Sequence, residues 1–322
     1  MSAQTHADTP MPLRVVKTHD LTGDIRAFDL ALPDGTDLPP FTPGAHIKVQ
    51  APNGALRKYS LCNDPAERWR YVIAVKREDG GKGGSLSMHR DLKVGGTLPV
   101  SVPENAFPLE PGARAYLFIA GGIGITPMLS MIRSFGELPP APWKLIYLTR
   151  SPETTAFAAE LQSGEWARLV KIHHDHGDPA RSLDLWPLLE KPNIAHVYCC
   201  GPRPLMDAVR DMTGHWSSGN VHFESFNEGG EVKPDDKPFT VRLAQSGREF
   251  EVPVGKSILE AMREHGCDAP SSCESGTCGT CRTKLLEGQA DHRDMVLLDD
   301  EKDAQIMICV SRAKSERLVL DL

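Results

Sequence analysis

Four cysteines towards the C-terminal end constrain this chain more than any other feature. Three form the pattern C-x4-C-x2-C and a fourth follows later: Cys273, Cys278, Cys281 and Cys309. This spacing is typical of four thiolates on a plant-type [2Fe–2S] cluster, because soft, anionic thiolates disperse the charge of ferric ions. Zinc is the alternative, but zinc ribbons usually carry two C-x2-C pairs and this segment has one. A chain with such a cluster should deliver or receive single electrons.

The composition is that of a soluble protein with two or three domains. Of the 322 residues, 40% are hydrophobic and 25% are charged, and the formal net charge is -7. This acidity argues against a nucleic-acid partner. No apolar run approaches the length of a membrane span, and the opening residues lack the basic and apolar regions of a signal peptide. These features predict a cytoplasmic protein.

The first third of the chain consists of short strand-like segments separated by glycine and proline turns. The segments span 24–32, 46–50, 71–76 and 97–102. Helical periodicity is almost absent from this part, so the pattern predicts a β-barrel or a β-sandwich.

Two polar segments within this β-rich part suit a phosphate group. Arg57 stands beside Tyr59 and Ser60, and a glycine-rich stretch ends at Ser85. A guanidinium supplies positive charge, and serine and backbone N–H groups supply donors. Each segment alone has a simpler interpretation, an exposed strand arginine and a hairpin loop. Their occurrence together with a candidate electron-transfer cluster favours a phosphate site.

The middle third alternates strands with helices. Five strand-like segments lie between residues 115 and 226, and the predicted helices span 128–138, 154–162, 183–190 and 204–216. This alternation predicts a parallel, doubly wound, Rossmann-like α/β sheet. Ligands of such sheets bind beyond the carboxyl ends of the strands.

The loop after the first of these strands is rich in glycine. Gly122 and Gly124 fit the dinucleotide-binding pattern, but Pro127 stands where its third glycine belongs. The loop backbone could approach a pyrophosphate, and a helix that begins near Thr126 would offer its N-terminus to the negative charge. Proline suits the first turn of a helix because its missing N–H costs nothing there.

Two further strand ends carry candidate ligand groups. Cys200 and Gly201 precede a proline, and they either border a nicotinamide or form a tight turn before a helix. Asp175 lies between His173 and His176, and three side chains so close on an extended segment cannot all face one metal ion. We therefore interpret Asp175 as an acceptor for a ribose hydroxyl, by analogy with dinucleotide-binding folds.

The last third resembles a small mixed α+β unit. A polar segment that ends at Pro238 reads as a linker, and strands are predicted at 239–244 and 249–253. Ser257 and Glu260 form a capping box that opens a helix before the cysteine loop. The acidic residues upstream of Cys309 are a candidate docking surface or simply a solvated face, and they are Asp291, Asp294, Asp299, Asp300 and Glu301.

Taken in order, the motifs at 57–60, 121–127 and 200–202 and the four cysteines resemble the phthalate dioxygenase reductase family of flavoproteins. The likeness covers essentially the whole chain. It implies an antiparallel FMN-binding β-barrel at 1–112, a Rossmann-like NAD-binding domain at 113–228, a linker at 229–238 and a plant-type β-grasp ferredoxin domain at 239–322.

The resemblance also implies which barrel residues meet FMN. Arg57 would hold the phosphate together with a glycine-rich turn, and Ser60 would lie near the reactive ring nitrogen. The full set of residues expected at the flavin is Arg57, Tyr59, Ser60, Ala74, Val75, Lys76, Gly83, Gly84 and Ser85. FMN over FAD rests on the resemblance, because no residue excludes an adenosine moiety.

The residues implied at NADH belong to the middle third. They are Gly122, Gly124, Thr126, Asp175, Cys200 and Gly201. Phe226 would stack on the flavin ring and be displaced when nicotinamide arrives, so Ser60, Thr126, Cys200 and Phe226 would surround the reacting atoms. NADH over NADPH rests on the resemblance and on Asp175, since Arg150 and Ser151 end a strand where they could accept a 2′-phosphate.

The sequence therefore predicts an NADH-dependent iron–sulfur flavoprotein oxidoreductase, the reductase component of a multi-component aromatic-ring oxygenase. NADH would give a hydride to FMN, and single electrons would pass through the cluster to a separate Rieske-type oxygenase. One alternative is a stand-alone NADH-dependent flavoprotein that reduces a small acceptor such as a quinone. The other is a zinc-stabilised binding module that senses a dinucleotide.

Overall fold

The computed structural model describes residues 10–81, 83–226 and 232–322. The chain divides into two compact units, and the boundary falls between His222 and Phe223. The predicted domain limits at residues 112 and 228 stay predictions, and residues 229–231 of the predicted linker lie outside the described residues. Among the helices that the structure describes, none is long and apolar enough to cross a membrane.

An antiparallel barrel forms the N-terminal part of the first unit. Its strands are β1 (Met11–Asp20), β2 (Ile25–Ala31), β3 (His46–Gln50), β4 (Leu56–Ser60), β5 (Tyr71–Lys76) and β6 (Thr97–Val100). They are ordered β4-β3-β6-β1-β2-β5. The sheet closes where Leu61 bridges Ile73 and the Cys62 N–H donates to the Val72 carbonyl at 2.9 Å. The predicted barrel is confirmed.

Two elements of the barrel were not predicted, β1 and helix α1 (Gly84–Asp91), whereas a strand at Arg57 was among the interpretations. In β1 only Leu13 and Val15 are buried, so its apolar alternation is short. The sequence of α1 is mostly polar, and Met88 is its one large buried side chain. Helical periodicity is therefore weak in α1, although Met88 and the following Leu92 pack into the barrel core.

A parallel sheet follows the barrel in the chain, and the boundary between the two compact units falls within its last strand. Its strands are β7 (Ala115–Gly121), β8 (Trp143–Thr149), β9 (Val170–His174), β10 (Ala195–Cys200) and β11 (Val221–Glu224), in the order β11-β10-β7-β8-β9. The pairs β10–β7, β7–β8 and β8–β9 are parallel. Aromatic side chains fill the core under β7, where Phe118 packs against Tyr198 at 5.7 Å between ring centroids. The predicted doubly wound architecture is confirmed.

The helices beside this sheet are shorter than predicted. They are α2 (Ile125–Arg133), α3 (Ala158–Leu161), α4 (Trp186–Leu189) and α5 (Arg203–Met212). Helix α2 ends before Gly136, whose φ of 59° leaves the helical region, so the prediction of a helix to Leu138 was wrong. The predicted helix at 154–162 is broken at Phe157, which has a φ of 60°.

The second unit is a mixed sheet with one helix, as predicted. Its elements are β12 (Phe239–Leu243), β13 (Glu249–Val252), α6 (Ile258–Glu264), β14 (Arg282–Glu287), β15 (Ala290–Asp291), β16 (Gln305–Met307), β17 (Arg312–Ala313) and β18 (Arg317–Leu320). The main sheet is ordered β13-β12-β18-β14-β16, and β15 pairs with β17. The capping box of α6 is confirmed, because Ser257 accepts the Glu260 N–H at 3.1 Å and Glu260 accepts the Ser257 N–H at 2.7 Å.

Two buried arginines fasten the segment before β12 to its own unit. Arg293, which is 7% exposed, pairs with Asp236 and with Asp291, and Arg312 donates to the Lys237 carbonyl at 3.0 Å. The Arg293 guanidinium lowers the pKa of Asp236. The described end of the predicted linker is thus folded against the second unit.

Candidate functional site

Arg57 and the start of α1 lie together, as the predicted phosphate site requires. A Cβ on Gly84 would meet the Arg57 side chain at 3.0 Å from Nε, so the absence of a side chain makes room for the guanidinium. Gly83 caps α1 with a φ of 80°, which favours glycine. Ser85 lies in the first turn of α1, whose N–H groups favour an anion, but its hydroxyl accepts the Glu78 N–H at 3.0 Å.

Ser60 ends the strand that carries Arg57. Its hydroxyl is buried, and no hydrogen-bond partner for it occurs among the residues that the structure describes. Buried hydroxyls are nearly always hydrogen-bonded, so an orphaned one indicates a ligand that supplies the partner. Burial raises the pKa of the neighbouring Tyr59 to about 12, which keeps its phenol protonated. These residues fit the edge of a flavin.

Strand β5 connects the barrel to the glycine-rich loop. Val75 points into the barrel core, whereas Ala74 packs with Ile25 and with Ala156 of the parallel-sheet part. Ile123 of the glycine-rich loop packs against the same group. The structure thus brings the predicted ribityl-binding strand and the predicted nucleotide-binding loop together.

The glycine-rich loop rests on the end of β10. A Cβ on Gly124 would lie 2.5 Å from the Cys200 carbonyl carbon, and a Cβ on Gly201 would lie 2.9 Å from the Gly121 Cα. Both distances are too short for real side chains, so these glycines permit close packing of two backbones. The two predicted nucleotide-binding segments are therefore adjacent, and the Cys200 side chain is fully buried.

Gly122 and Thr126 have different surroundings within the same loop. Gly122 has a φ of 54°, and nothing among the described residues lies within 4 Å of where its Cβ would be, so its backbone is open to a ligand. The Thr126 hydroxyl is buried and donates to the Ile123 carbonyl at 3.0 Å. Thr126 thereby stabilises the loop from within the first turn of α2.

Asp175 and Phe226 are the two predicted site residues for which no contact with the glycine-rich loop or with Arg57 is described. Asp175 follows the edge strand β9, which is separated from β7 by β8, and its carboxylate accepts the Gly177 N–H at 2.8 Å. Phe226 follows β11, and its side chain is 42% exposed. Their predicted roles at the ribose and at the flavin ring stay predictions.

Four of the five cysteines of the second unit lie in two close pairs, Cys273 with Cys278 and Cys281 with Cys309. A hydrogen bond from the Cys278 thiol lowers the pKa of Cys273 to about 4, and one from the Cys309 thiol lowers the pKa of Cys281. Among the residues that the structure describes, no three His, Cys, Asp or Glu side chains are grouped as ligands of one metal ion. Two thiol pairs fit a cluster of two irons better than a single zinc ion.

The backbone of the cysteine loop also suits a cluster. The N–H groups of Ser275 and Thr277 point at the Cys273 sulfur at 3.5 and 3.4 Å. Glu274 and Gly276 have positive φ values of 55° and 74°. Such a run of inward-pointing N–H groups stabilises thiolate and sulfide charge.

Most of the candidate acidic docking surface is already paired within the second unit. Asp291 bonds to Arg293, and Asp299 bonds to Lys302 at 2.6 Å. Asp294 is 5% exposed and accepts the Val296 N–H at 3.0 Å, so it shapes the chain rather than the surface. Asp294 therefore contributes little to a surface, and the interpretation of the other acidic residues as a docking surface stays a prediction.

Two groups near these sites carry no sequence motif. Arg133 pairs with Glu160 and donates to the Cys62 carbonyl. His196 Nδ1 lies 2.9 Å from His222 Nε2, on the neighbouring strands β10 and β11. No local pattern could have found either group, since each joins segments that are distant in sequence.

Comparisons with known proteins agree with this arrangement. Residues 12–108 match the family model described as an oxidoreductase FAD-binding domain, and residues 241–314 match the 2Fe-2S iron-sulfur cluster binding domain. Phthalate dioxygenase reductase of Burkholderia cepacia is 56% identical over 96% of this chain and 97% of the relative. The phthalate 4,5-dioxygenase oxygenase reductase subunit of Pseudomonas putida is 55% identical over 96% of both chains.

A solved structure is also similar. It is described as phthalate dioxygenase reductase, a modular structure for electron transfer from pyridine nucleotides to [2Fe-2S]. It covers 98% of both chains at 55% identity, with a TM-score of 0.74.

The fold and the sites define an iron–sulfur flavoprotein oxidoreductase with a flavin barrel, a Rossmann-like sheet and a [2Fe–2S] domain. The chain belongs to the phthalate dioxygenase reductase family. The predicted activity, that of the reductase component of a multi-component oxygenase, is confirmed at this level.

Proposed function

We propose that the chain is the reductase component of a phthalate-type aromatic-ring dioxygenase, that it uses NADH and FMN, and that it serves a separate Rieske-type oxygenase. The observation that carries the proposal is 56% identity over 96% of the chain to a phthalate dioxygenase reductase. The paired thiols and the orphaned Ser60 hydroxyl support it from the structure.

Each cofactor has residues that would hold it. Arg57 and the first turn of α1 would bind the FMN phosphate, and the Ser60 hydroxyl would bond to the flavin ring. Gly122 would let the loop backbone approach the NADH pyrophosphate, and Asp175 would accept a ribose hydroxyl. Cys273 and Cys278 would hold one iron, and Cys281 and Cys309 the other.

When bound, the flavin accepts electrons as a pair and the cluster carries them singly, which is the chemistry that a hydride donor and a one-electron acceptor require. The protein orients the groups. The contact of Ala74 with the group that includes Ile123 would bring the flavin and nucleotide sites side by side, and the half-buried Tyr59 and the buried Ser60 would limit access of water. No general acid or base is needed for this chemistry.

The first test is anaerobic addition of NADH to the purified protein, followed by low-temperature EPR. We expect the flavin absorbance to bleach and a reduced ferredoxin-type signal to appear, whereas NADPH should act much more slowly. A bleached flavin without the EPR signal would contradict the proposed relay. Heat-released flavin that co-elutes with FAD instead of FMN would refute the cofactor assignment.

A matched pair of variants tests the phosphate site. Arg57→Met should lower the flavin content of the purified protein, because it removes a charged donor from the phosphate. Arg77→Met also removes an arginine near the end of a barrel strand, but Arg77 pairs with Asp79 on the surface and its loss should leave the flavin bound. Equal flavin loss in both variants would show that Arg57 has no special role.

The partner is tested with a phthalate dioxygenase oxygenase component. We expect NADH oxidation coupled to phthalate consumption when both proteins are present. The stand-alone alternative predicts a different result. The Cys278→Ser variant would reduce a quinone as fast as the wild-type protein does, and the wild-type protein would not support phthalate oxidation.

A further inference from the structure

Arg133 is the last residue of α2 and makes three polar contacts with two other parts of the first unit. Its Nε lies 2.9 Å from Glu160 Oε1 and one Nη lies 2.5 Å from Oε2, which is a bidentate ion pair. The other Nη donates to the Cys62 carbonyl. The side chain is 20% exposed, so the cation is largely removed from water.

Cys62 lies at the seam of the barrel. Its N–H bonds to the Val72 carbonyl at 2.9 Å, and the preceding Leu61 bridges Ile73. Ser60, with its orphaned hydroxyl, is only two residues away. Arg133 therefore contacts the barrel where the chain leaves the candidate flavin strand β4 and pairs with β5.

Phe157 supports the same contact and has an unusual backbone. Its φ of 60° is rare for a bulky residue and indicates strain that the surrounding packing maintains. Its ring lies 5.5 Å from the Arg133 guanidinium carbon. The same ring packs against the group that contains Ala74 and Ile123, so it joins the arginine to the flavin strand and to the glycine-rich loop.

Helix α2 connects these contacts to the nucleotide site. It begins at Ile125, immediately after Gly124, and Arg133 is at its other end. A helix is a stiff rod, so fixing its C-terminal end to the barrel seam also fixes where the glycine-rich loop lies relative to the flavin strand.

We propose that Arg133 is a positioning residue for hydride transfer, which holds the nucleotide-binding helix and the flavin-binding strand in register. The inference rests on the proposed function. Arg133 touches neither cofactor site directly, so its loss should change how the two bound groups meet rather than how tightly NADH binds. Hydride transfer is sensitive to displacements of about 1 Å, which can lower a rate about 100-fold.

The experiment is anaerobic stopped-flow reduction of the holoprotein flavin over a range of NADH concentrations. For Arg133→Met we expect the limiting rate to fall about 10-fold or more, with the apparent Kd for NADH within about 3-fold of wild type. Arg133→Lys keeps the charge but cannot fork between Glu160 and Cys62, and Glu160→Gln keeps the contact with Cys62, so both should give intermediate rates. These milder variants keep the test valid if Arg133→Met does not fold.

Arg168→Met is the matched control, because Arg168 also pairs with a glutamate, Glu165, but both side chains are more than 70% exposed. It should leave the limiting rate unchanged. A second readout is hydrogen–deuterium exchange of the protein with and without NADH. In Arg133→Met, peptides over residues 60–63 and 121–128 should both exchange faster than in Arg168→Met.

The outcomes separate three cases. A limiting rate equal to wild type in folded Arg133→Met, Arg133→Lys and Glu160→Gln would overturn the inference, even if their thermal stability falls. A rise in Kd that accounts for the whole effect would also overturn it. If NADH fails to reduce the wild-type flavin, the proposed function fails instead.

Discussion

The cysteine loop (residues 273–281) and the glycine-rich loop (residues 121–124) are both short binding loops, but they are held in different ways. The cysteine loop is shaped largely by its own backbone, with N–H groups directed at Cys273. The atom nearest to a Cβ on Gly276 would be Cγ2 of the Val310 side chain, and the Asp294 Cα would follow at 3.1 Å. The glycine-rich loop lies against a distant backbone, the carbonyl of Cys200. An added methyl group at Gly276 can therefore be relieved in part by shortening the Val310 side chain, whereas one at Gly124 would meet the Cys200 backbone, which no side-chain substitution removes.

Removal of the one cluster cysteine outside the cysteine loop should have the largest effect. Cys309→Ser replaces a soft thiolate with a hard hydroxyl and leaves Cys281 without its pair, so we expect complete loss of the EPR signal of the cluster. NADH should still bleach the flavin. Cys267→Ser is the control, because Cys267 is half-buried and outside the two pairs, and it should retain the cluster. A full-strength signal in Cys309→Ser would refute the pairing.

The backbone contact of the glycine-rich loop predicts the next largest effect. Gly124→Ala would force a methyl group against the Cys200 carbonyl, and we expect the free energy of unfolding to fall by about 3 kcal/mol. In Gly122→Ala the added methyl group would contact no described residue, so only the backbone strain of a positive φ should lower the free energy of unfolding, by about 1–2 kcal/mol. Urea denaturation of both variants measures the difference. Equal losses would mean that backbone packing does not hold this loop.

These contrasts also explain what could be predicted from the sequence. The cysteine loop was predictable because its ligands are contiguous apart from Cys309, and spacing alone indicates their chemistry. The parallel sheet was predictable from alternating apolar segments. The ends of α2 and α3 were not, because left-handed conformations at Gly136 and Phe157 depend on tertiary packing.

Individual contacts between residues that are distant in sequence could not be predicted either, because they too depend on tertiary packing. Nothing local to Arg133 indicates that it reaches the Cys62 carbonyl. The association of Arg57 with the glycine-rich stretch that ends at Ser85 was predicted from their phosphate-binding chemistry, but the sequence did not indicate that Gly84 makes room for the guanidinium. The role of a residue such as Phe226 depends on its contact with a bound cofactor, so the sequence pattern alone does not define it.

A double variant sharpens the contrast between the loops. Gly276→Ala places a Cβ 2.6 Å from Val310 Cγ2 at a φ of 74°, and we expect it to cost about 2 kcal/mol. Adding Val310→Ala should recover about 1 kcal/mol relative to the sum of the two single variants, because the shortest contact disappears and the contact of 3.1 Å with the Asp294 Cα remains. Gly279→Ala, whose nearest contact would be 3.5 Å away, reports the backbone strain alone. A double-mutant cycle in urea measures the coupling, and zero coupling would mean that the Val310 side chain does not crowd the loop.

Lowering the pH should have the smallest effect on the free energy of unfolding. The group that takes up the proton, His222, contacts His196 of β10, and β10 ends at the glycine-rich loop. Burial and the adjacent His196 lower the pKa of His222 to about 4, although Glu110 opposes the shift. The unfolded chain binds this proton near pH 6.5, so stability is fully present above that pH and is lost as the pH falls towards 4. Because His222 is only partly buried, we expect a loss of about 1–2 kcal/mol rather than the full value.

The measurement is the free energy of unfolding at pH 7.5 and at pH 5 for wild type, His222→Gln and the exposed control His19→Gln. His222→Gln should lose less stability between the two pH values than wild type, whereas His19→Gln should follow wild type. Titrating groups common to all three proteins cancel in this comparison. If the two units unfold in separate transitions, only the one that contains β10 should show the difference. An identical pH dependence in all three proteins would mean that the His196–His222 contact does not link proton binding to the strand behind the glycine-rich loop.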